Sequence, residues 1–188
     1  MRLVEGVASV DDVDAFLTRL GDAAARDDCA VQAFDARYVT DSDHLEAAVE
    51  HANRAFERGE NVARDRAVEI LLYAAGRRQI DQALAMGVGE GEQPVVVVVD
   101  CDGADGDAER AAEAMANDAK ASSAADAEEE TADAVDGFLT SAETLGPDVT
   151  DRDLVRKLFG VTEAELAATN ADLADLVRER VALLDVEK

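Results

Sequence analysis

The chain has no tryptophan, only two prolines and two cysteines, and only three lysines (Lys120, Lys157 and Lys188) among its eighteen basic residues. Aromatic side chains make up 4% of the 188 residues, so any core must be built from alanine, valine and leucine. No apolar run approaches the ~18 residues that a membrane span needs. The N-terminal MRLVEGVASVDDVDAF carries neither a secretory nor a transit pattern. A soluble cytoplasmic chain is expected, with no membrane partner. Cys29 and Cys101 lie far apart, each beside a strand-like run. Reducing compartments keep such pairs as thiols, so two partly buried free thiols are expected. Neither has a Cys or His at ligand spacing, and no metal site is expected.

Catalytic signatures are also missing. The sequence holds no nucleophile elbow, phosphate-binding loop or dinucleotide fingerprint. Gly87 to Gly91 is glycine-rich but follows a helical pattern and precedes a strand, the wrong order for a Rossmann phosphate loop. Gly103 to Asp107 is acidic but lacks the EF-hand spacing. His44 and His51 fall two helical turns apart, too far to share a metal, and are expected as surface or capping residues. An independent enzyme is not expected, and no cofactor is implied.

What is present in excess is negative charge. There are 43 acids against 18 bases, a net charge of −25 and a pI near 4.2. Such a balance ordinarily argues against nucleic acid. Here the acids are spread along the whole chain, between Ala/Val-rich amphipathic segments. With the scarcity of lysine, this resembles the proteins of salt-accumulating halophilic archaea. On that reading the charge describes the solvent rather than the partners.

The hydrophobic pattern predicts one α/β domain over residues 1–188: a small mixed sheet surrounded by helices, with a helical C-terminal segment. Arg2 to Ala8 and Cys29 to Val39 read as strands. Val13, Phe16, Leu17 and Leu20 recur at helical spacing, with Gly21 as the stop. Val95 to Val99, five β-branched residues without alternation, predicts the central strand, buried on both faces. About 103–133 is an acidic insertion; Ala108 to Met115 suits an alanine-rich helix, whereas Ser122 to Asp133 has little to bury and is expected to be disordered or mobile. The tail predicts a short helix capped by Thr150 or Asp151, another capped by Thr162, and a last one from Asn170, its stripe formed by Leu173, Val177, Val181 and Leu184. Leu176, Leu183 and Val186 fall off that stripe and widen the apolar face.

Three consecutive helices are predicted over His44 to Val88. The first is capped by Asp43 with Glu46 and stopped by Gly59. The second is capped by Asp65. The third opens at Arg77-Arg78-Gln79 with Ile80, Ala83 and Leu84 inward. Between Arg54 and Arg78 this stretch carries Arg54, Arg58, Arg64, Arg66, Arg77 and Arg78 against Glu57, Glu60, Asp65 and Glu69, a local excess of two positive charges. Arginine forks onto phosphate and stacks on bases, and helix N-termini favour anions. Arg54, Arg64, Arg66, Arg77 and Arg78 are therefore candidate RNA contacts, with Asn53 and Asn61 as uncharged donors. Tyr73 is either a stacking platform or a core residue. The other reading of the arginines is a set of surface salt bridges.

The same segment resembles a known family. Leu45 and Ala48 with Ala52-Asn53-Arg54-Ala55, then Glu69-Ile70-Leu71-Leu72-Tyr73, then Arg78-Gln79-Ile80 with Ala83 and Gly87 before the valine strand, look like the tRNA-recruiting, kinase-binding subunit of the KEOPS complex (the PRPK-binding protein, or TPRKB-like, family). Phe159-Gly160-Val161-Thr162, Glu165-Leu166, Leu176-Val177 and Glu179 to Leu184 match its C-terminal pattern. The resemblance implies a non-catalytic subunit that docks on a PRPK-type kinase and captures the single-stranded 3′ CCA end of tRNA. Its complex, through a separate transferase, makes threonylcarbamoyladenosine. Leu176, Leu183 and Val186 are the candidate kinase contacts. A pure protein–protein adapter, with structural arginines, is the alternative.

Overall fold

The computed structural model of the chain describes residues 1–25, 29–101 and 117–185. β1 (Arg2–Val10) leads through α1 (Val13–Ala24) to β2 (Ala30–Asp35) and a 3-10 turn at Ala36–Tyr38. α2 (Ser42–Arg58), α3 (Arg66–Ala74) and the single turn α4 (Ile80–Ala83) follow, then a second 3-10 turn at Leu84–Met86 and β3 (Gly91–Asp100). α5 (Asn117–Asp136), β4 (Thr140–Ser141), α6 (Arg152–Phe159), α7 (Glu163–Ala168) and α8 (Leu173–Leu183) complete the order.

The sheet order is β2-β3-β1-β4. The α/β class and the interior position of the valine strand are as the sequence predicts. In place of a mixed sheet, all three ladders are antiparallel. The chain returns from β1 through α1 to β2 in the same direction but leaves a gap one strand wide, and β3 fills it running against both neighbours. Alternate β3 side chains point to opposite faces, and each face meets a layer of helices. Val96 and Val98 join α2, α3, α6 and α8 on one side. Val95, Val97 and Val99 join Phe16, Leu20 and Ala23 of α1 and Val135 of α5 on the other. All five valines are fully buried, which is why this strand can be continuously β-branched.

Local chemistry explains most helix ends. Asp12, Asp65, Asp151 and Thr162 each accept a backbone N–H at a helix start. Gly59 and Gly160 adopt the left-handed conformation that ends α2 and α6. Some predicted boundaries move. α2 is capped by Asp41, not Asp43, because Asp41 reaches the His44 amide at 2.8 Å. Gly21 does not stop α1, which runs on to Ala24. α8 begins after Asp172, where Asp172 and Asp175 form a reciprocal capping box. The helix expected at Ala108 to Met115 lies outside the described residues.

Two larger corrections concern the acidic segment and the cysteines. The stretch Ser122 to Asp133, expected to lack order, belongs to the 20-residue helix α5. Its polar residues are not all outward: Glu128 and Thr131 are buried with Val135 against β1 and β3. Glu128 is held there by the N-terminal ammonium at 2.6 Å and the Cys101 amide at 3.3 Å, partners that composition alone does not reveal. Cys29 and Cys101 are not free thiols. Ala30 pairs with Asp100 in the β2–β3 ladder, so the next residues out face each other, and the two sulfurs form a disulfide across 72 residues of chain.

Candidate functional site

The arginine segment runs from the last turns of α2, through the loop at 59–65 and α3, to the start of α4. Its positive residues divide into two groups. Arg66, Arg77 and Arg78 have their guanidinium groups engaged by the protein itself. Arg66 Nη1 donates to Asp100 Oδ2 at 2.7 Å and Arg66 Nη2 to the Asp100 carbonyl. Asn53 Nδ2 donates to the same carboxylate oxygen at 3.0 Å, and its own Oδ1 lies 3.4 Å from Arg66 Nη1. Asp100 is 2% exposed, and the chain's N-terminal ammonium lies 3.7 Å from it and 2.6 Å from Glu128. This is a polar cluster at the end of the sheet, where two cations and an amide balance two buried carboxylates.

Arg77 donates through Nη2 to the Leu158 carbonyl, in the last turn of α6. Arg78 donates through Nη2 to the Leu184 carbonyl at 2.6 Å, at the C-cap of α8. Consecutive arginines thus reach the carbonyl ends of two different helices, where a cation is favoured by the helix dipole. Arg54, Arg58 and Arg64 form the second group. Arg58 and Arg64 are exposed and form no ion pair among the described residues. Arg54 is half-buried, and its Nε has no hydrogen-bond partner.

The other candidates are also placed. Asn61 Nδ2 donates to the Ala63 carbonyl at 2.8 Å, shaping the loop before α3. Glu69, itself buried, accepts the Val62 and Ala63 amides of that loop. Tyr73 takes the core alternative: its ring is 2% exposed and stacks on His51 at 5.6 Å between centroids. Its hydroxyl donates to Asp185 Oδ1 at 2.5 Å, and burial with this carboxylate contact pushes its pKa up. His51 Nδ1 lies 2.7 Å from Asp185 Oδ2. The sequence carried no signal for this His51–Asp185–Tyr73 group, whose members come from α2, α3 and the end of α8. His44 is not a surface residue. It is fully buried, and desolvation lowers its pKa to about 4. Ile80 and Leu84, expected inward, are 46% and 57% exposed; α4 is one turn long, so only Ala83 and the following Met86 turn into the core.

In α8, Leu173, Val177, Val181 and Leu184 face the core, and Leu176 is buried with them at 5% exposure. Leu183 is 38% exposed. Val186 lies outside the described residues. No group of three or more metal-ligating side chains occurs among the described residues, and no described helix is long and apolar enough to cross a membrane.

The family model for the kinase binding protein CGI-121 matches residues 7–185. The chain belongs to this family. The match takes in β1 from Val7 onward and every later element of the fold, so kinase binding is the property that attaches to the fold described above. No curated protein matches the chain.

Proposed function

We propose that this CGI-121 family member is a non-catalytic adapter in the KEOPS complex, docking on a PRPK-type kinase and presenting the arginine segment to the 3′ CCA end of tRNA. Its role is to support threonylcarbamoyladenosine formation by a partner transferase. Family membership supports the kinase half. The tRNA half rests on one observation: Arg58 and Arg64 stand exposed and unpaired among the described residues, beside the half-buried Arg54, in a chain of net charge −25. With so many carboxylates available, unpaired surface arginines in one short stretch indicate an anion from outside.

Phosphate contacts alone lose ~0.7 to 0.9 log units of affinity per log unit of salt for each phosphate neutralised. For a salt-rich cytoplasm, stacking and base-edge hydrogen bonds must carry much of the binding, which favours a single-stranded end. On the kinase side, Leu183 is the large apolar residue of α8 turned to solvent, and Val186 stays a candidate from the sequence. A second reading is favoured by the contacts of Arg66, Arg77 and Arg78: these arginines are structural, and the protein is a pure adapter of the kinase.

The test is binding of the purified subunit to intact tRNA and to tRNA trimmed of CCA, beside a kinase pull-down. Binding lost on trimming supports the 3′-end reading, and equal binding removes it. Kinase capture with no tRNA binding leaves the pure adapter.

A further inference from the structure

The C-terminal end of α8 is fastened at two points, by residues of α2 and α3 and by the turn that follows α3. Arg78 donates to the Leu184 carbonyl at 2.6 Å. Asp185 receives the Tyr73 hydroxyl on one oxygen at 2.5 Å and faces His51 Nδ1 with the other at 2.7 Å. The helix-end bonds themselves are long, at 3.3 Å from the Leu184 amide and 3.2 Å from the Asp185 amide, and these side chains add to them. The cleft between Tyr73, Arg77, Arg78 and Leu184 has a volume of only about 10 Å³, room for about one water. No phosphate or base fits there while the end of α8 is seated. Yet Arg78 Nε is buried without any hydrogen-bond partner. A guanidinium with one N–H unmet is not fully satisfied by this arrangement, and an anion can offer it more than one carbonyl does.

We propose that Arg78 is a two-position clip, so that the single-stranded RNA end and the seated last turn of α8 compete for the same guanidinium. This rests on the reading that RNA approaches the arginine segment. With the clip closed, Arg78 caps α8 and the Leu183 edge is held in place. With the clip open, the fork turns to a phosphate, and Leu183 to Asp185 lose their Arg78 contact. Coupling of this kind is reciprocal: what loosens the end of α8 strengthens RNA binding, and RNA loosens the end of α8. Tyr73 and His51 oppose opening without touching the RNA.

Two measurements on the full chain test the clip, with a short single-stranded RNA ending in CCA as the probe. In hydrogen exchange, the RNA accelerates the Leu184 and Asp185 amides of the wild-type protein. In titrations, Tyr73→Phe, which removes one fastening and keeps the ring, raises RNA affinity by roughly five- to tenfold, within the usual range of such couplings. Arg78→Gln serves as the second variant: its α8 end exchanges quickly without RNA, and RNA adds no further acceleration there. RNA binding with an unmoved α8 end and an unchanged affinity in Tyr73→Phe overturns the competition and leaves the RNA reading intact. No RNA binding by the wild-type chain removes both.

Discussion

The imidazole of His44 lies 2.8 Å through Nε2 from the carbonyl of Ala74, joining the start of α2 to the end of α3 across 30 residues. Only the neutral ring with its proton on Nε2 makes this contact while Nδ1 accepts from the Thr40 amide at 3.5 Å. The ring also sits edge-on to Phe159, which leaves no water to solvate a charge.

That burial makes stability depend on pH. Desolvation lowers the His44 pKa from 6.5 to about 4, so between these values the unfolded chain binds the proton and the folded chain does not. The stabilisation is complete above pH 6.5 and is lost as pH falls towards 4. Between pH 7 and pH 5 the wild-type protein should lose about 2 kcal/mol more than His44→Gln, whose side chain does not titrate. Urea unfolding of both proteins at the two pH values measures this. Parallel losses would show that the buried imidazole is not responsible.

The Cys29–Cys101 bridge closes a loop of 72 residues. Constraining the unfolded chain over that length contributes about 4 kcal/mol in the chain-entropy account. Denaturant midpoints should therefore fall on adding a dithiol reductant, and Cys29→Ser with Cys101→Ser should reproduce the fall without reductant. Thiol titration of the unreduced protein in denaturant should find none. Two titratable thiols would mean that the pair is reduced in the purified chain.

Arg64 and Arg66 are two positions apart and predicted to behave oppositely. Arg66→Ala leaves Asp100 buried without its main cation, which costs about 3 to 5 kcal/mol. Arg64→Ala changes an exposed side chain and stays within about 0.5 kcal/mol. Arg64→Glu should nevertheless weaken tRNA binding, and its melting temperature should not move by more than a few degrees. Equal thermal stability of the two alanine variants would remove the distinction drawn between engaged and unengaged arginines.

Leu176 and Leu183 separate core from surface on one helix. Leu176→Glu places a carboxylate in the core cluster that holds Val177, Val181 and Phe159 and should leave little folded protein. Leu183→Glu should fold normally and lose kinase co-purification. A folded Leu183→Glu variant that still captures the kinase at wild-type yield moves the docking surface off this edge.

The sequence by itself determined what is local. Five consecutive valines specify a strand covered on both faces, because no solvent-facing position interrupts them. Asp65, Asp151, Thr162, Gly59 and Gly160 mark helix ends, because a cap depends on its own next three residues or on one left-handed glycine. The arginine segment was legible as a charge anomaly for the same reason. Tertiary structure alone decided which arginines are available. Arg66 is neutralised by Asp100 from β3, and Arg77 and Arg78 reach carbonyls of α6 and α8 far along the chain. The disulfide, the burial of His44 and the meeting of His51, Tyr73 and Asp185 are likewise products of packing. Each depends on two or three segments being brought together, and no spacing within one segment records that. The alanine-rich α5 shows the same limit in reverse: its own residues predict little burial, but β1 and β3 supply a surface that buries Glu128, Thr131 and Val135.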